Sequence, residues 1–354
     1  MPGTTSITYQ NELLTSTAHL AGKEIIDQND YHLPFFAKHD AVHGKGKPVD
    51  EGGQFFIEPL QFDEHSVTTQ LSNGYELINL AVVSVGTPLR DEWGFWVRPV
   101  VISEKDRWQN RGSAKIYDKA KERTRTVIAG MRREQHKRIW GSGGTGLTDL
   151  NTLNGIDYTD GVLEELAVGA QTNDVHNVDK GNYQSSLGWQ NQIYDAAGSF
   201  NSNGLLGLTA VSTQAKSLLG SAEREGGAED MQWYVHPTPF TWLKRAVRGQ
   251  EQYMPKSGTA FDPGVAEFMY DGIPVAINRD MPIAGASSTA DPMSIALIDH
   301  RWIRMRYQSG YVYQMGEFAS PVNQLISAMP IKLVAQLECR FMGTSGIVFD
   351  AQAW

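Results

Sequence analysis

Three glycines in this sequence have the spacing of a nucleotide-binding loop. Gly141, Gly143 and Gly146 fit the pattern GxGxxG, which in dinucleotide folds holds a pyrophosphate at a helix N-terminus. In those folds the glycines follow a strand and precede a helix, whereas here they follow a segment with a helical pattern. We therefore interpret them as a flexible helix stop and keep a dinucleotide-dependent enzyme as a remote alternative. No Walker A sequence occurs in the chain.

Two polar segments contain residue types that ligate metals. His32, His39 and His43 lie close in sequence, with Asp40 among them, but a metal site needs further ligands and a second shell of hydrogen bonds. The neighbouring Gly and Lys residues favour a solvated loop. Residues 174–179 resemble a calcium loop but lack its glycine and bidentate glutamate. The sequence thus predicts no metal and no cofactor.

Hydrolytic motifs are missing as well. GxSxG and HExxH do not occur, and Gly343–Gly346 has the wrong spacing for a nucleophile elbow. The single cysteine, Cys339, excludes intrachain disulfides and is in phase with the buried face of a C-terminal strand, which favours an inert core thiol. We predict no catalytic residues and a protein that is not an enzyme.

The length and composition predict a large folded protein. With 354 residues the chain exceeds the roughly 250–300 residues at which one core stops growing, so two or more lobes are expected. Hydrophobic residues make up 41% and charged residues 20%, as in globular proteins. The N-terminus has no signal-peptide pattern, and the apolar stretch Leu77–Leu89 is too short to cross a membrane. A cytoplasmic product without membrane partners is therefore expected.

The charge is unevenly distributed along the chain. Residues 105–138 contain 12 Lys/Arg against 4 Asp/Glu, a balance of +8, while the remainder has 19 against 36, a balance of −17. Three interpretations stay open for the basic segment: the solvated face of an amphipathic helix, contact with the acidic part of another copy, or contact with a nucleic acid. The aromatic platforms of single-strand binders are not interleaved with these charges.

The N-terminal third predicts an arm followed by a long strand excursion. Residues 1–50 contain one modest helical pattern, Glu12–Ile26, and then a segment typical of an extended arm. Residues 54–102 are rich in aromatic and β-branched residues, with turn signals between the runs. Since an isolated hairpin is marginal in water, this hairpin is expected to pack against something outside itself.

The remaining elements predict an α+β fold. The clearest helix is Ser113–Trp140, in which apolar residues recur at helical spacing. Further on, a helix, a strand and a second helix follow in order, and then several short strands. The segment Ile331–Phe341 alternates between apolar and more polar residues, which predicts a half-buried strand. Helices and strands without regular βαβ alternation indicate α+β.

The order of these elements resembles the major capsid proteins of tailed bacteriophages with the Hong Kong 97-type fold. The resemblance covers residues 50–354 and rests on several short patterns in the same order. These patterns are EGGQFFIEPLQF, VISEKDRWQNRGSAKIYDKAKERT, TLNGI, Trp189 in a variable loop, WYVHPTPFTWLKRAV and DGIPVAINRDMP.

The resemblance implies a division of the chain. Residues 1–50 would be the N-terminal arm and 51–103 the extended loop, a β-hairpin. Residues 104–148, with the long spine helix, and 286–354, with the C-terminal strands, would form the peripheral domain. Residues 149–285 would form the axial domain.

The resemblance also implies a structural function. The chain would assemble with many copies of itself, as pentamers and hexamers, into the icosahedral head shell of a virion made in the host bacterial cytoplasm. The shell would enclose double-stranded DNA without sequence-specific binding, with a scaffolding protein, a portal and a decoration protein as partners. An encapsulin-like shell of a cellular compartment is the alternative.

Eight residues are our candidates for assembly contacts. Four are aromatic residues of the hairpin and four are arginines of the spine helix: Phe55, Phe56, Trp93, Trp96, Arg123, Arg125, Arg132 and Arg133. Ordinary intrachain packing or a solvated charge is the alternative for each. Some members of the resembled family cross-link through a lysine of the extended loop, but Glu51–Glu104 has no internal lysine, so we predict a shell without covalent cross-links.

Overall fold

The computed structural model confirms a mixture of helices and sheets. It describes a large part of the chain, in segments separated by gaps. The described residues are 33–44, 52–61, 86–109, 119–140, 174–175, 178–179, 189, 191–219, 230–248, 268–280, 293–320 and 324–352. The helical pattern at Glu12–Ile26 and the glycines of the GxGxxG pattern lie outside these residues.

The described elements are numbered in chain order. The helices are α1 (Pro34–His43), α2 (Glu104–Gln109), α3 (Lys119–Ile139), α4 (Leu205–Ser217) and α5 (Pro237–Arg248). The strands of the first half are β1 (Phe55–Gln61), β2 (Gly86–Glu92), β3 (Gly94–Ser103), β4 (Asp174–Val175), β5 (Val178–Asp179) and β6 (Gln192–Ser199). Those of the second half are β7 (Met231–Val235), β8 (Met269–Tyr270), β9 (Ile273–Ile277), β10 (Met293–Asp299), β11 (Ile303–Tyr307), β12 (Gln314–Met315), β13 (Ile326–Cys339) and β14 (Gly346–Gln352).

The segment around His39 is a buried helix, so the expectation of a solvated loop was wrong. Pro34 supplies the fixed φ that suits a first helical position, and α1 buries Phe35, Phe36 and His39. The apolar residues that identify it are only two adjacent phenylalanines, which is too few for a helical period. The helix therefore depends on packing against the core rather than on its own pattern.

The spine helix α3 follows its sequence pattern. Over the described part, Lys119–Ile139, the buried side chains are Met131, Gln135, His136 and Ile139, which recur at helical spacing. The predicted first turns, before Lys119, lie outside the described residues. The helix packs across β3, and Arg98 of β3 lies over it at Gly130, where a Cβ would be 2.5 Å from the arginine Nη1.

The peripheral sheet is built around the long strand β13. On one side β13 pairs antiparallel with β3 over ten residues, and on the other side it pairs with β11 and β12. Because partners in an antiparallel pair point to the same face, odd-numbered residues from Ile331 to Cys339 face the inner core together with Met305 of β11. Cys339 is buried on this inner face, as predicted.

The second half of β13 is buried on both faces, not half-buried as its alternation predicted. Residues Leu333–Cys339 are all buried, including Gln336 and Glu338 on the outer face. The polar residues suggested contact with solvent, but they are covered by arginines and by the base of the extended loop. The alternation in the sequence shows only which residues are polar, not whether they meet solvent. Here the polar side chains are buried because they have polar partners inside the protein.

The second sheet has the described strand order β6–β14–β10–β7–β9–β8, with two parallel pairs, β14 with β6 and β7 with β9. Helices α4 and α5 cover one face. Strand β10 joins the two cores of the molecule, because Ala296 and Ile298 contribute to the same core as α1 and α3, while Ile295 and Leu297 contribute to the core under α4 and α5. Successive residues of one strand thus connect the two lobes.

The sequence analysis missed strand β14, although it noted the residues that begin it. A Cβ at Gly346 would lie 2.5 Å from Val211 Cγ1 and 2.7 Å from the Gln192 carbonyl oxygen, so only glycine fits between α4 and β6. Ser345 is buried, and its hydroxyl accepts a hydrogen bond from the Asp299 backbone N–H at 3.2 Å. The Gly343–Gly346 motif therefore serves packing.

Among the described helices, none is long and apolar enough to cross a membrane.

Core packing on β13 gives a direct stability test. We expect Leu333→Ala, in the fully buried inner face, to lower the free energy of unfolding by about 2–5 kcal/mol because it leaves a cavity. Leu325→Ala is the matched control, since Leu325 is 77% exposed. Urea unfolding of the unassembled chain would measure both variants. Equal losses for the two leucines would contradict the described burial of β13.

Candidate assembly surface

The base of the extended loop is anchored on the outer face of the peripheral sheet. Strands β1 and β2 pair antiparallel from Phe55–Glu92 to Gln61–Gly86. Phe56 points inward and packs edge-on against Trp93, with ring centroids 5.7 Å apart, and both contact Val334 of β13. All three side chains are buried, so the hairpin finds its first apolar partner within its own chain.

Glu338 joins three arginines beneath this hairpin. Its side chain is fully buried, and its carboxylate accepts hydrogen bonds from Arg304, from Arg306 at 2.9 Å and from Arg340 at 3.2 Å. Arg306 and Arg340 also pair with Glu58 of β1, which points to the same side as Phe56. The Arg306 guanidinium lies 4.9 Å from the centre of the Phe56 ring. Charge and apolar packing thus fix the loop base at the same place.

The arginines determine the charge state of Glu338. Burial alone would raise its pKa, but the hydrogen bond from Arg304 and the positive charges of Arg304, Arg306 and Arg340 outweigh burial and hold the pKa below its usual value. The carboxylate therefore stays ionised in the folded chain. An ionised group in this position offsets the three arginines, which would otherwise repel one another.

The other half of the outer face is open and apolar. Phe95 and Val97 of β3 are 65% and 63% exposed, and Val101 is 40% exposed. Their partners on β13 are Val334, Lys332 and Ala328, which point to the same face. Val334 is covered by the loop base, whereas Lys332 is exposed. The chain therefore covers one end of this face and leaves an apolar strip with one lysine at the other.

The candidate aromatic residues fall in different environments. Phe56 and Trp93 are buried within the chain, as described above. Phe55 is half-buried, with the Arg90 guanidinium 3.8 Å from its ring centre, and Trp96 is half-buried against the main core. Their role between copies stays a prediction, and their surroundings favour intrachain packing for Phe56 and Trp93.

Two of the candidate arginines hold neighbouring elements of the chain. Arg123 donates a hydrogen bond to the Val101 carbonyl at 2.7 Å and pairs with the buried Asp106 at 3.4 Å, which fixes α2 against α3. Arg132 pairs with Asp40 of α1 and lies 5.1 Å from the Phe36 ring centre. These contacts are intrachain.

The other two candidate arginines are more accessible. Arg125 is exposed, and Arg133 is half-buried. Contact with another copy stays a prediction for both.

Across the described residues, no group of three or more histidines, cysteines and carboxylates could hold a metal ion.

The exposed residues Phe95 and Val97 were missed as candidates, although the sequence contained a signal for them. Strands β2 and β3 are separated only at Trp93, so the alternation changes phase there, and Trp93 and Phe95 end in opposite environments. Within β3 alone, the odd positions from Phe95 onward are exposed and the even positions Val100 and Ile102 are buried. Reading the alternation of β3 separately would have identified the open strip.

Comparison with solved structures matches this architecture almost end to end. The capsid asymmetric unit of cyanophage A-1(L) has a TM-score of 0.58 at 12% identity, covering 96% of this chain and 99% of that one. The holo-SrpI encapsulin complex from Synechococcus elongatus has a TM-score of 0.53 at 10% identity, covering 93% and 92%. The capsid of an empty GTA particle has a TM-score of 0.53 at 11% identity, covering 86% and 93%. No family model and no curated protein matches the sequence.

The chain has the Hong Kong 97-type capsid fold. This confirms the fold implied by the sequence patterns. Within the Hong Kong 97-type fold of this chain, the buried contacts of the loop base leave the apolar strip of β3 as the open part of the peripheral sheet. The three similar structures named above are described as two capsids and an encapsulin complex.

The buried carboxylate predicts an acid-sensitive loop base. Because the pKa of Glu338 is lowered in the folded chain, its contribution to stability is present above about pH 4.5, its usual value, and is lost as the pH falls through the lowered pKa. We expect Glu338→Gln to cost about 3–5 kcal/mol near neutral pH, since three arginines lose their buried partner. At pH values below the usual pKa of Glu338, the difference in the free energy of unfolding between Glu338→Gln and the wild type should become smaller.

Urea unfolding of the unassembled chain at several pH values would measure this gap. Glu317→Gln is the matched control, because Glu317 is exposed and should change stability little at any pH. A constant gap between Glu338→Gln and the wild type from neutral to acidic pH would show that ionisation of Glu338 does not stabilise the loop base.

Proposed function

We propose that this chain is the major capsid protein of a tailed bacteriophage, which assembles into the icosahedral head shell around a double-stranded DNA genome. The observation that carries the proposal is the match of 96% of the chain to a phage capsid subunit over 99% of that subunit's length. The chain is then a structural protein of the virion rather than an enzyme.

The open strip on β3 supports a shell made of contacts between copies. The strip is apolar and carries the exposed Lys332. Residues 62–85, the distal part of the extended loop in sequence, contain ten Phe, Tyr, Leu, Ile and Val residues, three acidic residues and no Lys or Arg. An apolar, acidic segment suits an apolar face with a lysine. We propose that the loop of one copy covers the β3 strip of the next.

The same proposal includes the other partners of a head shell. Copies would group as pentamers at the fivefold positions and as hexamers elsewhere, since an icosahedral shell larger than the smallest one contains both. A separate scaffolding protein would assist assembly, and a portal and a decoration protein would bind the finished shell. The DNA would be enclosed without sequence-specific contacts, consistent with a net charge of −9.

An encapsulin-like compartment is the second candidate. The match to the holo-SrpI encapsulin complex, over 93% of this chain, favours it specifically. The two candidates share the shell and differ in what the shell contains. The contents of purified particles therefore decide between them.

Particle size and contents test the proposal. The chain would be purified, alone and from infected or lysogenic cells, and examined by light scattering and negative-stain electron microscopy. Uniform closed shells that protect double-stranded DNA from nuclease would support the phage capsid, and shells with a protein cargo would support the encapsulin alternative. A stable monomer or dimer under all conditions, also with co-expressed scaffold, would contradict both.

Substitutions on the open strip should block assembly without unfolding the chain. Phe95→Ser with Val97→Ser removes two apolar side chains that would each contribute about 1.5–3 kcal/mol when buried between copies. Because both are mostly exposed in the single chain, the free energy of unfolding should change little. We expect loss of closed particles by light scattering with an unchanged urea midpoint.

Phe95→Tyr is the matched control, since it keeps the aromatic ring and should still assemble. Normal particle yield from the double serine variant would show that the strip is not a contact between copies.

The shell should dissociate fully in denaturing detergent. From Glu51 to Glu104 the chain has no lysine, so the extended loop cannot supply the amine for an isopeptide bond. We expect mature particles boiled in SDS to give one band at 39.2 kDa. A ladder of covalent multimers that resists reducing agent would contradict this prediction.

A further inference from the structure

The arm helix α1 is seated on the core by aromatic packing. Phe35 and Phe36 are buried, and the Phe35 ring centre lies 6.1 Å from that of Trp140 at the end of the spine helix. The same ring lies 4.9 Å from the imidazole of His300, in the turn between β10 and β11. This packing is specific but small, since only one and a half turns of the helix face the core.

Two histidines of α1 make polar contacts with the second half of the chain. The Met305 backbone N–H donates to His39 Nε2 at 3.0 Å, so this nitrogen must carry a lone pair. His39 Nδ1 lies 3.5 Å from Asp40 Oδ1. His43 Nε2 donates to the His300 carbonyl. A proton added to His39 Nε2 would point at the Met305 N–H and break that hydrogen bond.

His300, beneath the helix, is also held neutral. The Tyr234 hydroxyl donates to Gln232 Oε1 at 2.9 Å, so it accepts from His300 Nε2–H. His300 Nδ1 is buried and has no hydrogen-bond partner. A proton on that nitrogen would create a buried, unpaired charge under the Phe35 ring.

The charges around these histidines are mostly positive or already paired. Lys38, Asp40, Arg304 and Asp230 act on these histidines directly. Further charged or ionisable groups of α3 and of the second half of the chain are joined in ion pairs of their own: Arg132, His136, Asp280, Asp299, Arg301 and Glu338. The carboxylates mostly have cationic or imidazole partners: Asp40 pairs with Arg132, Asp280 with His136, Asp299 with Arg301 and Glu338 with Arg304. Asp230 is the remaining acidic group that favours a proton on His43.

We propose that His39 and His43 form an acid-sensitive latch that holds the arm helix α1 on the core when neutral and releases it when protonated. The latch joins α1 to β11 and to the turn that precedes it, while the sheet beneath keeps its own hydrogen bonds. Release would thus be local, and it would free the arm without unfolding the peripheral sheet. The proposal concerns the single chain and does not depend on what the shell encloses.

The direction of the pH effect follows from the docked state. Burial, which outweighs the His300 carbonyl and Asp230, lowers the pKa of His43, and burial lowers the pKa of His300 well below its usual value. The released helix therefore binds protons more readily than the docked helix. Docking is fully stable above the usual histidine pKa of about 6.5 and weakens as the pH falls below it.

Hydrogen exchange with mass spectrometry tests the latch on the full chain. Protection of the α1 amides, corrected for the intrinsic pH dependence of exchange, would be followed from about pH 8 to about pH 5, on either side of the usual histidine pKa. Peptides from β13 serve as the internal reference for global unfolding. Light scattering at each pH checks that the assembly state is unchanged. The variant His39→Gln with His43→Gln removes the two titrating groups of α1, leaves His300 in place beneath the helix, and keeps hydrogen-bonding side chains.

The expected result is that acid lowers the protection of the α1 amides in the wild type by at least tenfold while the β13 amides stay protected. In the double variant, acid should lower the protection of the α1 amides much less. His236→Gln, at a histidine outside the arm cluster, is the control, and in this variant acid should lower the protection of the α1 amides as it does in the wild type. Equal release in the double variant, or a wild-type helix that stays protected until β13 opens, would overturn the latch. If the double variant does not hold α1 at neutral pH, His43→Gln alone must reduce the pH response, and an unchanged response would overturn the proposal.

Discussion

The buried carboxylate of Glu338 is the interaction on which the arrangement of the peripheral sheet depends. It lies on a strand whose outer face would otherwise be polar and open, and it attracts three arginines from that strand region and from β11. Two of these arginines also bind Glu58, so the network extends to the extended loop. A paired charge of this kind adds little net stability compared with an apolar core, but it penalises any other position of the loop base.

This anchoring divides the outer face of β13 into two halves with different roles. Over Val334–Cys339 the face is closed by residues of the same chain, whereas Lys332 and the β3 residues Val97 and Val101 are exposed. The loop is thus fixed at its base, where β1 and β2 meet β13. A rigid base lowers the conformational entropy lost when the distal part binds, so the same apolar area gives a stronger contact.

The sequence was most informative where one element alone determines the outcome. The spine helix has its apolar stripe over four turns, and the inner face of β13 alternates as its residues predict. It was least informative where burial depends on another segment. Gln336 and Glu338 look solvent-facing until Arg304 and Arg306 are placed beside them, and α1 looks like a loop until Trp140 packs on Phe35. Strand β14 has few local signals because its pairing partners, β6 and β10, are distant in sequence.

The burial of the candidate contact residues also depends on segments that are distant in sequence. Phe56 in β1 and Phe95 in β3 are the same residue type in one aromatic-rich part of the sequence, yet one is buried under Arg306 and the other is mostly exposed. What separates them is the phase change at Trp93, which no composition or hydropathy count contains. A contact surface is defined by what the chain's own packing leaves uncovered. It can therefore be located only after the intrachain partners are known, and here those partners, Val334 and Glu338, lie more than two hundred residues away along the chain.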